Sequence, residues 1–187
     1  MNSRISHHLS SRSMIIFVSA ALLLLLLTVI LLKTINNGTN AFVPGINTLD
    51  QYINNSSLRP SSYLKANITI NGFSLSADVP TTDDQFQKGL DIKDRIDDSH
   101  GMLFIFKEPD KVPFWMHGMK FPIDIIWFDK NSSVVHIEHN LQPCITDLVC
   151  PSYSPEKDAL YVLETAAGFS ERHNVKVGTQ MSFRLIK

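Results

Sequence analysis

The stretch FWMHGMKFPIDIIWFD, Phe114 to Asp129, decides how the rest of the chain is read. Its second half, Ile123–Phe128, is five β-branched or aromatic apolar residues interrupted by one carboxylate, Asp124. On a strand, side chains alternate between faces. Ile123, Ile125 and Trp127 then line one face, and Asp124, Ile126 and Phe128 the other. Both faces are apolar, which predicts a strand buried on both sides. A carboxylate there must be hydrogen-bonded, paired or neutralised.

Further strands lie on either side. Ala66–Val79 alternates apolar and polar residues about Asn71-Gly72, a pair suited to the positive φ of a tight hairpin turn. Gly101–Phe106 (GMLFIF), Ser133–His139 (SVVHIEH), Ala159–Glu164 (ALYVLE) and the closing TQMSFRLI complete the set, the last as an edge or a central strand. Two short helices are expected. TTDDQFQKGL carries Thr82 as a cap, Gln85 to close a capping box, acids at its positive end and Gly89 as its stop. TAAGFSERHN offers Thr165 as a cap. The predicted class is α+β: a curved antiparallel sheet or partial β-barrel with two short helices, preceded by one N-terminal transmembrane helix.

That helix is Met14–Leu32, nineteen residues without a charge. At about 1.5 Å per residue it nearly matches a hydrocarbon core of roughly 30 Å. Arg4 and Arg12 precede it and favour an N-terminus inside the cell, although Lys33 follows directly. The apolar core is longer than that of a signal peptide, and Lys33–Asn37 is a poor cleavage site. The predicted organisation is a cytoplasmic tail over 1–13, an anchor over 14–32, a linker over 33–62 rich in Asn, Ser, Thr, Gly and Pro, and a β-rich domain over 63–187. A short helix around Ile46–Ile53 is an option within the linker. The expected location is the cell membrane, single-pass, with the C-terminal domain outside. Glycosylation sequons at Asn37, Asn54, Asn55, Asn67 and Asn131 agree with that side.

Composition narrows the function. A net charge of −1 argues against a general nucleic-acid binder, which needs a basic face. Gly-x-Ser-x-Gly elbows, phosphate loops, dinucleotide fingerprints and His-Glu-x-x-His pairs are all missing from the sequence. Asp124 and Glu164 are the catalytic candidates: facing one pocket, they could share a proton or do acid–base work. Asp124 could equally accept backbone N–H groups and lock the fold. Lys93, Arg95 and Lys120 are its possible cationic partners. Trp115, Met116, Asp124 and Lys93 are the binding candidates. Met116, His117 and Met119 have the thioether and imidazole chemistry that suits copper(I). Neighbouring residues on a strand point apart, however, and methionine commonly fills core gaps. Cys144 and Cys150 enclose five residues, a spacing that permits a disulfide, with free thiols, or zinc held by His136, His139 and both thiols, as the alternatives. No cofactor is expected.

Several of these segments together resemble the domain of unknown function 192 family. They are Gly89-Leu90, GMLFIF, FWM at Phe114–Met116, PIDIIWFD at Pro122–Asp129, YVLETAAG at Tyr161–Gly168 and VKVGTQMSF at Val175–Phe183, spread over roughly residues 65–187. Asp91 and Lys93 stand where the family usually has Met and Arg, and His117-Gly118-Met119 where it tends to have Lys-Asn-Thr. The resemblance implies a β-rich domain, often secreted or membrane-tethered, with no established reaction. The leading expectation is a membrane-anchored extracytoplasmic domain that binds a small ligand, a glycan or a protein. The alternatives are a hydrolase-type enzyme using Asp124 with Glu164, and copper or zinc handling.

Overall fold

A computed structural model describes residues 62–144, 146 and 149–186. The predicted anchor Met14–Leu32, the linker and the option of a helix at 46–53 lie outside these residues. Among the described residues no helix is long and apolar enough to cross a membrane.

Nine strands and two short helices form in the order β1 (Leu64–Ile70), β2 (Phe73–Val79), α1 (Asp83–Lys88), a 3-10 turn (Gly89–Ile92), β3 (His100–Asp110), β4 (Phe114–Trp115), β5 (Ile123–Phe128), β6 (Val134–Leu141), β7 (Ser152–Tyr153), β8 (Ala159–Ala166), α2 (Phe169–Arg172) and β9 (Met181–Ile186). Seven strands make one sheet in the order β6-β5-β8-β3-β2-β1-β9, and β4 and β7 pair as a separate ribbon. The expected all-antiparallel sheet is corrected at one place: β2 and β3 run parallel, Ser76 opposite His100. Parallel neighbours need a crossover. Here the segment from Pro80 to Ser99, carrying α1 and the 3-10 turn, supplies it.

Asn71 and Gly72 take φ of 46° and 82°, and Ile70 opposes Phe73 across them, so the two-residue turn is the one their chemistry favours. Curvature brings the ends of the sheet together. Ser133 bridges Gln180, and backbone N–H groups of Val134, Gly178 and Met181 bond to Thr179, Val134 and Ser132. This is the partial barrel.

The sheet has two apolar faces. The enclosed face is filled from all seven strands of the sheet, including Ile68, Ile126, Phe128, Tyr161 and Phe183. The outer face carries Met102, Phe104, Ile123, Ile125, Trp127 and Val162, and it is covered by the excursions that carry Leu90, Met116 and Met119. All six residues of β5 are buried, as its two-sided apolar pattern requires.

Both helix caps differ in detail from expectation. Thr82 does accept the Gln85 N–H, and Gly89, at φ 51°, stands at the C-cap of α1. Gln85 reaches one residue further back than a capping box, to the Thr81 N–H at 2.8 Å. Thr165 is not a cap. It belongs to β8, and α2 starts only after Gly168, whose φ of 76° turns the chain out of the strand. The continuously buried ALYVLETA extends the strand two residues past Glu164, because pairing with β5 continues to Ala166.

A cleft above Glu164

Strand pairing decides what the two candidate carboxylates can do. Asp124 lies opposite Thr165 and Ile125 opposite Glu164. Asp124 therefore shares the face of Ile126 and Leu163, whereas Glu164 shares that of Ile125 and Val162. The two carboxyl groups sit on opposite sides of the sheet and form no dyad.

Asp124 is fully buried and accepts three backbone N–H groups, from Asn140 and Gly168 at Oδ1 and from Ser170 at Oδ2, each at 2.9 Å. It ties the end of β6 and the start of α2 to the centre of the sheet. None of its expected cationic partners reaches it. Lys93 bonds Asp78 at 3.0 Å, and Lys120 bonds Asp94 at 2.8 Å. Arg95 lies in the Lys93–Asp78 neighbourhood.

Glu164 is different. It is only 4% exposed, and Oε2 has no hydrogen-bond partner among the described residues. Burial pushes its carboxyl up to about 8; the Leu90 N–H opposes this and the nearby Asp91 charge adds to it. At neutral pH it is a carboxylic acid, a donor and an acceptor at once. Gly89 allows this placement: a Cβ there would lie 3.3 Å from Glu164 Oε2, and its backbone takes a conformation open mainly to glycine.

Glu164 forms the floor of a cleft of about 170 Å³. Phe86, Phe104, Phe106, Phe114, Trp115 and His117 are among its lining residues. The phenylalanines pack edge to face, Phe104 on Phe114 at 4.9 Å and Phe114 on Trp127 at 5.8 Å between ring centroids. Alternation through Phe114, Trp115 and Met116 gives a half-buried, a 54% exposed and a fully buried side chain. Trp115 is thereby turned outward at the rim, with the His117 ring 5.3 Å away. The Trp127 Nε1–H donates to the Val112 carbonyl at 3.1 Å, fixing the approach to β4.

A second ribbon steadies Trp115. Phe114 opposes Tyr153 and Trp115 opposes Ser152. Cys144 and Cys150 are joined by a disulfide, Cα to Cα 5.2 Å, immediately before β7. Both sulfurs are thus used by each other and are absent from any thiolate set with His136 and His139. His136 instead contacts Glu138 at 3.1 Å and lies against Trp127. Met116 and Met119 are buried in the outer-face core while His117 is exposed; His117 and Met119 both line the cleft, and Met116 is not among its lining residues.

Of the residues singled out from sequence, the structure brings Trp115, His117, Met119 and Glu164 to one cleft, with Met116 packed in the core around it. Asp124 and Lys93 lie elsewhere. Sequence reasoning missed Gly89, Phe86 and Phe106 as parts of the site. The one available signal was Gly89 beside an aromatic-rich set of segments.

A partial barrel of mixed topology with a small, aromatic-walled cleft defines the protein as a β-rich domain with a ligand-sized concavity. Residues 66–183 match the DUF192 family, described as an uncharacterized ACR, and the chain belongs to that family. No curated protein matches the chain. Among solved structures, a Sinorhizobium meliloti protein described as a candidate transcription regulator is 25% identical, with a TM-score of 0.60 over 65% of this chain and 95% of its own. A Novosphingobium aromaticivorans protein of unknown function is 24% identical, with a TM-score of 0.56 over 67% and 91%. The latter likeness is one of fold.

Proposed function

We propose that the chain is a glycan-binding module, held at the outer surface of the cell membrane by Met14–Leu32, which takes one sugar ring in the cleft above Glu164. The observation that carries this reading is an exposed Trp115 at the rim of a cleft whose buried floor is a neutral carboxyl group. A sugar ring offers C–H groups to an indole face and hydroxyls to a group that both donates and accepts. The volume, about 170 Å³, is below that of sites for drug-sized ligands and restricts the occupant to a small group such as a single ring. A rigid aromatic anchor costs little conformational entropy on binding.

The test uses the tryptophans themselves. The chain has two, and Trp127 is fully buried, so a ligand at the rim is read through Trp115. The full chain in detergent micelles is titrated with neutral mono- and oligosaccharides. A saturable change in emission, lost in Trp115→Ala and weakened about tenfold or more in Glu164→Ala, is expected. A flat response across the panel rejects the reading.

One observation favours a second reading: a carboxylic acid that keeps its proton at neutral pH is poised as a general acid. Hydrolysis of alkyl glycosides, whose leaving alcohol must be protonated, abolished in Glu164→Gln, would make the cleft an active site.

A further inference from the structure

On the other side of the 3-10 turn from the aromatic cleft lies a second cavity, of about 570 Å³. Its walls come from β1, β2 and the segment leading into β3, and its polar groups are Lys65, Ser76, Asp78, Lys93, Arg95 and His100 with Asp97 at the edge. The two acids are already engaged. Asp78, 6% exposed, receives both Lys65 and Lys93. Burial pushes its carboxyl up, but the hydrogen bonds from the two ammonium groups outweigh this and hold it below its ordinary value. Asp97 takes the Ser99 N–H and hydroxyl at 2.9 and 2.5 Å and contacts His100 at 3.0 Å. Arg95 is the exception: it has no ion-pair partner among the described residues.

This arrangement has a direction. One carboxylate pins two ammonium groups at the cavity wall without cancelling their combined charge. Both remain partly open to solvent, with side chains 51% and 39% exposed. Arg95 adds a guanidinium whose planar fork matches a carboxylate or phosphate group. Leaving His100 uncounted, three cations face two acids, and the surplus sits on the group with no partner. A cavity wall with that surplus concentrates small anions and binds them by charge-assisted hydrogen bonds.

We propose that this cavity is a binding site for a small anion carrying a carboxylate or phosphate group, with Arg95 as its principal contact, Lys65 and Lys93 as flanking charges and Ser76 as a neutral donor. The site is separate from the glycan cleft. Leu90 is the shared wall, lining this cavity while its N–H serves Glu164 on the other side.

The experiment is calorimetric titration of the full chain in detergent micelles with inorganic phosphate and, separately, with succinate. Saturable one-site binding of either probe is expected, weakening as salt rises. Phosphate alone, succinate alone or both would identify which oxyanion the cavity takes. Arg95→Ala should lower affinity about tenfold, and Arg95→Lys should retain more of it because charge persists without the fork. Arg95 is exposed and pairs with no acid among the described residues, so the variant's melting curve should match that of the unsubstituted chain. The proposal is overturned if neither probe saturates, or if Arg95→Ala binds as well as the unsubstituted chain. The glycan reading is decided by Trp115 emission and stands or falls apart from this result.

Discussion

Glu164 and Asp124 are the two most deeply buried acids of the described chain's centre, and they are treated in opposite ways. Asp124 is surrounded by donors: three backbone N–H groups replace the water it lost. Glu164 has one, from Leu90, and answers burial by keeping its proton. A consequence for stability follows. Between its ordinary value of 4.5 and about 8, the native carboxyl holds a proton that the unfolded chain has released. The native state then binds more protons than the unfolded state, so stability falls as pH rises through that window. The contribution is fully present below the lower value and lost as pH passes the upper one. Its slope is at most about 1.4 kcal/mol per pH unit. Glu164→Gln keeps the shape and removes the titration. Denaturant melts at a series of pH values from 5 to 9 should show a decline in the parent chain that the variant lacks. Equal slopes in the two would mean that Glu164 is ionised in the folded state.

At the scale of elements, the small ribbon of β4 and β7 matters more than its four residues imply. β4 aims Trp115 outward, β7 holds β4, and the Cys144–Cys150 disulfide closes the loop from which β7 emerges. A loop this short gives about 2 kcal/mol by chain-entropy arguments. Cys144→Ser with Cys150→Ser should lower stability by about that amount. It should also shift Trp115 emission, since Trp115 is the exposed tryptophan of the ribbon and Trp127 is fully buried. A lowered melting point with unchanged Trp115 emission and saccharide response would show that the ribbon holds its position without the disulfide. The ribbon itself was hard to read in advance. Two-residue strands carry no periodicity, and the pairing of Phe114 with Tyr153 joins residues far apart in the chain.

At the scale of the whole molecule, the proposed anchor sets where the cleft works. Met14–Leu32 has the length and composition of a membrane span. If it is uncleaved, the chain should remain in the membrane fraction after alkaline carbonate extraction, and replacing Leu24 and Leu25 with Arg should release it. Recovery of the unsubstituted chain in the carbonate supernatant would remove the anchor from the proposal. The sheet shows the reverse situation, where local signals were strong and the global order was not. β1, β2, β3, β5, β6, β8 and β9 were each visible as alternating or continuously apolar runs. Their order was not, and the parallel pairing of β2 with β3 escaped, because nothing in either strand records which way its neighbour runs.

The amino-acid order alone determined the β-rich class, the Asn71-Gly72 hairpin and the two-sided burial of β5. Each of these depends on local chemistry or on the two-residue period of a strand, and both are written along the chain. Only the tertiary structure decided that Asp124 and Glu164 look away from each other. Sheet register fixes that relation, and register is a property of two strands together: Ile125, not Asp124, stands opposite Glu164. Likewise, only folding could bring Gly89 against Glu164 and set Trp115 at the mouth of one cleft, since those residues meet through a crossover and a ribbon rather than through any spacing in sequence.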